Sequence, residues 1–443
     1  MRTNNASSPT GQNPDQDVAP LLRRAALRYL PVLFIAYIFS IIDRVNVGFA
    51  KLQMQQDLHF SDVVYGLGAG IFFIGYFLFE VPSNMMLARV GARRWIARIM
   101  IMWGPIAAAF AFVQTPTQFY VLRFLLGLAE AGLFPGVLLM LTYWFPDSQR
   151  TRYIAMFMLG LPIAGVIIGP MSAAIISGMD GLSGMAGWQW MFIVQGLPAL
   201  GLGLFALAWL DDTPAKARWL TAGEKAVYLR AVGDPSGHLV PWRQELKIAF
   251  SQKGIAMPTV AAFFLVATAA SFGLWGPQFL QDIMATDLEG IGLTFATIFL
   301  LGTVAMLVFG ALADRMRRET LLLALLVTGA ASFAVAAGSI ANTAVATVAL
   351  GIGGVCYLAS FPIFWGYVTP KLAPAAAAAT IAIINSIANL GGAFGPTIIG
   401  PIKQDGGLAP AIVAVAVYMA LAALAALSMS RRYRNVLPQV AKA

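Results

Sequence analysis

The chain has 443 residues, 59% of them hydrophobic and only 11% charged, with a formal net charge of +9. Soluble domains carry about 25% charged residues, so the composition excludes a soluble enzyme or binding module and points to a membrane protein along its whole length. A single cysteine, Cys356, excludes a disulfide within the chain. His59 and His238 both fall in predicted connections, which argues against a histidine-built metal site. No Lys precedes Ser or Thr, so the phosphate-binding loop of the ATP-driven machines is absent.

In chain order, the opening "MRTNNASSPTGQNPDQDVAP" is polar and Pro/Asn-rich, without the charged-then-apolar order of a signal peptide. It predicts a disordered tail, taken to residue 28. Apolar runs long enough to cross a hydrocarbon core of ~30 Å then recur. They predict helices near 29–50, 64–86, 95–113, 117–141, 152–177, 188–210, 259–282, 291–313, 320–340, 343–368, 376–400 and 408–429. The longest polar connection, 211–258, divides them six and six. The predicted fold is an all-α integral membrane protein: twelve transmembrane helices in two six-helix halves, 29–210 and 259–430, a cytoplasmic linker between them, and a cytoplasmic tail at 431–443.

Charge placement predicts the orientation. Of 29 Lys and Arg, only Lys51 and Lys403 fall in predicted connections on one side, and Arg44 and Arg123 fall inside spans. All others lie on the side of the two termini, which is therefore the cytoplasmic side. The basic excess is a topology signal, and a nucleic-acid partner is not expected. The halves echo each other at one turn: "NMMLARVGARRW" (84–95) follows the second span and "GALADRMRRET" (310–320) follows the eighth. Parallel repeats of this kind mark transporters, with a substrate site near mid-membrane between the halves.

Four ionisable residues stand inside predicted spans. Asp43 and Arg44 lie in "YIFSIIDRVNVGF" (37–49), Arg123 and Glu130 in "YVLRFLLGLAEAGLFPG" (120–136). Each such charge costs about 2.5–3.5 kcal/mol on insertion scales. At ~1.5 Å per residue, Asp43, Arg44 and Arg123 share a depth of roughly 10 Å below the outer surface, and Glu130 lies two turns further in. One reading is a pair of structural ion pairs, Asp43–Arg123 among them. The other assigns tasks: the arginines offer forked donors to a carboxylate, and the acids take up and release protons. A bound anion neutralises an arginine that an acid had neutralised, and that acid is freed to carry a proton.

Several stretches together resemble the major facilitator superfamily and, within it, the anion:cation symporter family of organic-anion/proton carriers, which includes galactonate, glucarate, tartrate, phthalate and hydroxyphenylacetate carriers. They are "DRVNVGFA" (43–50), "GYFLFEVPSN" (75–84), "GARRWIARIMI" (91–101), "RFLLGLAEAGLFPG" (123–136) and "INSIANLGGAFGP" (384–396), and the resemblance runs from Tyr29 to about Arg434. It implies that Arg44 and Arg123 hold the substrate carboxylate and that Asp43 and Glu130 are the proton-coupling pair. It places Tyr76 and Asn385 at the substrate's polar groups and Trp365 at the site wall; packing between helices is the alternative for these, as it is for Trp275 and Asn389. Arg89 and Arg93 in the first turn, and Asp314 and Arg315 in the second, are gating or structural candidates, although Ala88 stands where the first turn usually has an acid. Glu80 is expected to pair, structurally or as a gate, with Arg98 or Arg152. "SFPIFWGY" (360–367) lacks a hydroxyl-bearing residue next to Trp365 where sugar-acid carriers tend to have one, so an aromatic acid is as plausible as a sugar acid.

The expected activity is import of a small organic carboxylate (sugar acid, dicarboxylate or aromatic acid) with protons by alternating access. No cofactor is expected beyond the coupling proton. The expected partners are a small organic anion, protons and the lipid bilayer, around a functional monomer in the bacterial inner membrane. Exchange or uniport with structural acids is the alternative; a ligand sensor or an enzyme lacks any supporting module or nucleophile–base set.

Overall fold

The computed structural model describes residues 14–232, 254–313, 315–372 and 377–440. The described residues fold into helices in this order: α1 (Pro14–Leu58), α2 (Asp62–Val90), α3 (Ala92–Ala109), α4 (Pro116–Glu130), α5 (Leu133–Trp144), α6 (Asp147–Met158), α7 (Gly160–Met179) and α8 (Gly187–Trp209). A short α9 (Ala222–Val232) follows, then α10 (Ala256–Met284), α11 (Leu288–Leu312), α12 (Arg318–Gly338), α13 (Thr343–Val368), α14 (Ala377–Gly406) and α15 (Leu408–Val440). Among the described residues eleven segments are long and apolar enough to cross a membrane, and the 30-residue α14 holds the remaining place in the chain order. One of the eleven, Pro116–Trp144, is a single span broken between α4 and α5, whereas in Ser148–Met179 the backbone stays helical through Leu159 between α6 and α7.

The end of the bundle that carries 210–221, here the linker end, is joined to the opposite or far end by these spans. Connections at the far end are short and capped by their own side chains. Ser61 accepts from the Val64 backbone at 3.2 Å, Asp287 from Gly290 at 3.0 Å and Asn342 from Val345 at 3.2 Å; Thr115 and Gln118 form a reciprocal box. Each cap satisfies an N–H that the helix start leaves free.

Three expectations about the chain's outline are corrected. The first helix begins at Pro14, not near residue 29. Val18, Leu22, Ala25 and Tyr29 recur at helical spacing and are buried, so an amphipathic stripe extends the helix through a stretch whose average polarity reads as a tail. The connection after α8 is partly a packed element: Tyr228 of α9 is fully buried and donates to the Trp144 carbonyl at 2.8 Å. Tyr29 donates to Asp211 at 2.9 Å and accepts from the Trp219 indole at 2.7 Å, with Trp144 and Trp219 stacked at 6.2 Å. Burial pushes the Tyr228 phenol well above its usual range. Finally, α15 continues to Val440, past residue 430, since polar residues such as Arg431 and Arg434 are good helix formers.

The two sets of helices meet along three lines: α1 with α10, α2 with α14, and α7 with α11. At the far end this seam is closed. Tyr65 donates to the Leu274 carbonyl at 2.8 Å, Thr397 to the Gly66 carbonyl at 3.2 Å, and Lys403 approaches Asp62 at 3.5 Å. Lys51 and Lys403 lie inside α1 and α14 rather than in connections. Lys51 is fully buried, bonded to Asp62 at 2.7 Å, with its ammonium 4.0 Å from the Trp275 ring centroid. Lys403 also pairs with Asp282 at 3.1 Å. Each side of the seam thus owns an ion pair, Lys51–Asp62 and Lys403–Asp282.

Candidate functional site

The site is built on α1, α2, α3 and α4, and the approach of α2 to α4 depends on glycine. A Cβ on Gly127 of α4 would lie 2.0 Å from the Phe72 carbonyl oxygen of α2, and one on Gly75 would lie 2.4 Å from the Phe124 carbonyl. The α2 and α4 backbones therefore touch, and Arg123 and Glu130 are carried against the α2 face that presents Phe72 and Tyr76. Immediately after Glu130 the helix breaks: Ala131 is extended and Gly132 is left-handed at φ 93°, a conformation that favours glycine. The predicted continuous span 117–141 is thus two helices, and Glu130 is the last residue of the first.

On α1, Ser40 and Arg44 are one turn apart on one face, and both donate to the same Glu130 oxygen. Ser40 Oγ lies 3.1 Å and Arg44 Nε 3.0 Å from Glu130 Oε2. Glu130 is fully buried, and its Oε1 has no partner. Asp43 does not pair directly with Arg123. Its Oδ2 accepts from the Trp103 indole of α3 at 2.5 Å and its Oδ1 from Asn46 at 3.3 Å, and it too is fully buried.

Arg123 is fully buried, and among the described residues no carboxylate comes close enough to form an ion pair with it. Its Nε donates to the Gly68 carbonyl at 3.2 Å and its Nη2 to the Ala69 carbonyl at 3.4 Å, while Nη1 is buried without a partner. The Phe72 ring is within reach of both guanidiniums, 4.9 Å from Arg123 and 5.6 Å from Arg44. Arg44 also stacks over the Tyr76 ring at 4.7 Å. The cluster therefore holds two acids and two bases, and among the described residues Arg123 Nη1 and Glu130 Oε1 are buried without a hydrogen-bond partner. Buried polar atoms are normally satisfied, which marks these two as exceptions.

The remaining sequence candidates separate into those the structure brings near this cluster and those it does not. Tyr76 belongs to it. Glu80, next along the same face of α2, does not pair with Arg98 or Arg152: its carboxylate accepts from Ser386 of α14 at 3.2 Å, with the Asn389 amide beside it. Asn385 and Trp365 are half-buried, and Trp365 packs edge-on against buried Phe364 at 5.2 Å. Trp275 is not at the site; it is sealed into the far end, where its indole donates to the Pro396 carbonyl at 3.2 Å.

Among the turn residues, Arg89 and Arg315 are exposed. Arg93 opens α3, with its backbone N–H on Asp212 at 3.0 Å and its Nε on the Leu207 carbonyl at 2.7 Å. Asp314 lies outside the described residues. Sequence reading missed Trp103, Phe72, Ser40 and Ser386. Only Ser40 carried a signal, its one-turn spacing from Arg44. Among the described residues no group of three or more His, Cys, Asp and Glu converges to hold a metal ion.

The family model described as Major Facilitator Superfamily matches residues 33–396. The chain belongs to the major facilitator superfamily. It is a membrane transporter and not an enzyme, and its relatives agree with that description. A "Putative tartrate transporter" of Agrobacterium vitis is 41% identical over 88% of this chain and 86% of the relative. A "Putative metabolite transport protein NicT" of Pseudomonas putida is 38% identical over 88% of this chain and 90% of the relative. A "Quinolone resistance transporter" of Acinetobacter baumannii is 38% identical over 87% and 88%. Among solved structures, a bacterial homologue of the human lysosomal transporter Spinster superposes with a TM-score of 0.75 at 16% identity, covering 91% of this chain and 96% of that one. That likeness concerns the fold of this superfamily member.

Proposed function

We propose that this transporter imports a small organic carboxylate together with protons by alternating access. The observation that carries the reading is the fully buried Arg123 with its Nη1 donor unpaired, beside the Arg44–Glu130 ion pair at 3.0 Å. A carboxylate entering between the two guanidiniums gains the free Arg123 donor and competes with Glu130 for Arg44. Charge-assisted bonds of this kind are the strong ones. Glu130, displaced, is left buried beside Asp43 with only Ser40 to hold it, and a buried charge losing its partner is costly. Taking up a proton removes that cost, so the loaded site moves without stranded charge. The relatives named for tartrate and metabolite transport support the choice of a small anion as cargo.

In this scheme the far end faces outward, as the basic residues clustered at the linker end favour, and the membrane is the bacterial inner membrane. The bonds that close the far-end seam support a cycle in which the site opens next toward the linker end. A single chain carries both moving halves, so the monomer suffices, and no cofactor enters the cycle.

The test compares net uptake with exchange in proteoliposomes. Glu130→Gln should abolish proton-driven net accumulation of the anion while anion-for-anion exchange continues. Equal loss of both would contradict the assignment, because a proton carrier is not needed for exchange.

A further inference from the structure

Glu80 is a buried acid that the coupling scheme leaves unused. It lies in α2, is 6% exposed, and among the described residues no Lys or Arg nitrogen comes within 4.0 Å of its carboxylate. Its hydrogen-bond partner is the neutral Ser386 hydroxyl at 3.2 Å, and the Asn389 amide faces it, both from α14 across the seam. A carboxylate inside a span with no cation in bonding reach, Arg44 being the charge that faces it, is expensive to keep, and a purely packing role would be filled at less cost by an apolar side chain.

Its register says what it is placed to do. Phe72, Tyr76 and Glu80 are spaced four apart, so they line one face of α2. The first two carry the guanidiniums of Arg44 and Arg123. At ~1.5 Å per residue, Glu80 lies about 6 Å beyond Tyr76 along the axis, roughly the length of a four- to six-carbon chain from a carboxylate held at Arg44. A carboxylate attracts hydroxyl donors and offers nothing to an apolar chain end.

Building on the carboxylate reading above, we infer that Glu80, with Ser386 and Asn389, forms a distal subsite that accepts hydrogen bonds from hydroxyl groups of the substrate and so selects hydroxylated acids over bare-chain ones. Ser386 donates to Oε2 alone, and the remaining acceptor capacity of the carboxylate is open to a substrate hydroxyl. Because Glu80 keeps its Ser386 bond whether or not that hydroxyl is present, the selectivity is the modest factor of one charge-assisted bond, about tenfold or more, rather than the far larger factor of a site left with an unpaired group.

The experiment measures inhibition of counterflow in proteoliposomes by 6-hydroxyhexanoate and by hexanoate, two monoanions that differ only in a terminal hydroxyl. The wild type should prefer the hydroxy acid by about tenfold or more. Glu80→Ala should reduce the preference to near unity by weakening the hydroxy acid alone, and Glu80→Gln, which keeps an acceptor without the charge, should retain part of it. Ser386→Ala, on the other side of the seam, frees acceptor capacity on Glu80 and should leave the preference for the hydroxy acid equal or larger. If the wild type recognises both acids and the Glu80→Ala ratio is unchanged, or both weaken equally, Glu80 is a seam residue and the inference is overturned. If the wild type recognises no carboxylate, including a panel of sugar and aromatic acids, the carboxylate reading itself fails and takes this subsite with it.

Discussion

Replacing Arg123 by lysine keeps the charge and tests whether its geometry matters. Two of its nitrogens already serve the Gly68 and Ala69 carbonyls, at 3.2 and 3.4 Å, and only the forked shape leaves Nη1 free. A lysine ammonium has three donors at one point, so it cannot reach two neighbouring carbonyls and present a donor elsewhere. One charge-assisted hydrogen bond to the bound anion is then lost, worth about 1.5–3 kcal/mol. The expected consequence is a rise in KM of roughly 10- to 150-fold, read from the concentration dependence of counterflow in proteoliposomes. A thermal melt in detergent confirms that the variant is folded. A folded Arg123→Lys protein with KM within roughly twofold of the wild type, well inside one such bond, would refute the claim that Arg123 Nη1 binds substrate.

Other positions give independent checks. Gly127→Ala forces a methyl into the Phe72 carbonyl at 2.0 Å; overpacking of this kind costs about 1–3 kcal/mol, so a lower Tm and loss of transport are expected, and wild-type values for both would contradict the α2–α4 contact. Trp103→Phe removes the 2.5 Å donor to buried Asp43; net uptake should fall by roughly tenfold with exchange preserved, and unchanged net uptake would remove Asp43 from the coupling scheme. The far-end seam is testable by thiol labelling, because the one native cysteine is buried. In a Cys356→Ala, Thr397→Cys background, adding Tyr65→Phe deletes the 2.8 Å bond to Leu274; at about 1 kcal/mol this should speed labelling by an impermeant maleimide about fivefold, and no change would show that this bond does not hold the seam.

The features that were legible in the sequence were those that break a composition rule. Asp43, Arg44, Arg123 and Glu130 stand out because ionisable residues are rare in apolar runs, and the structure gathers all four around α2 and α4. Their pairing was not legible. Arg44 and Glu130 meet because α4 ends at Glu130, and the break is written only in the Gly132 and Pro135 of "AGLFPG". Trp103, Phe72 and Ser386 look like ordinary core or helix residues, and only three-dimensional proximity distinguishes them. The expected Glu80 partners failed for a related reason: sequence suggests cations in neighbouring segments, whereas α2 packs against α14 from the distant half of the chain. The early start of α1 was hidden by averaging, since Arg23, Arg24 and Arg28 lower the mean hydropathy without disturbing the buried stripe beside them.

The central claim is that anion movement carries protons. The most direct measurement encloses a pH dye in proteoliposomes with the membrane potential clamped at zero, and adds candidate carboxylates outside one at a time. The account predicts internal acidification with at least one acid, lost in Glu130→Gln. Labelled uptake of an acid without any acidification would contradict it and leave exchange or uniport as the mechanism.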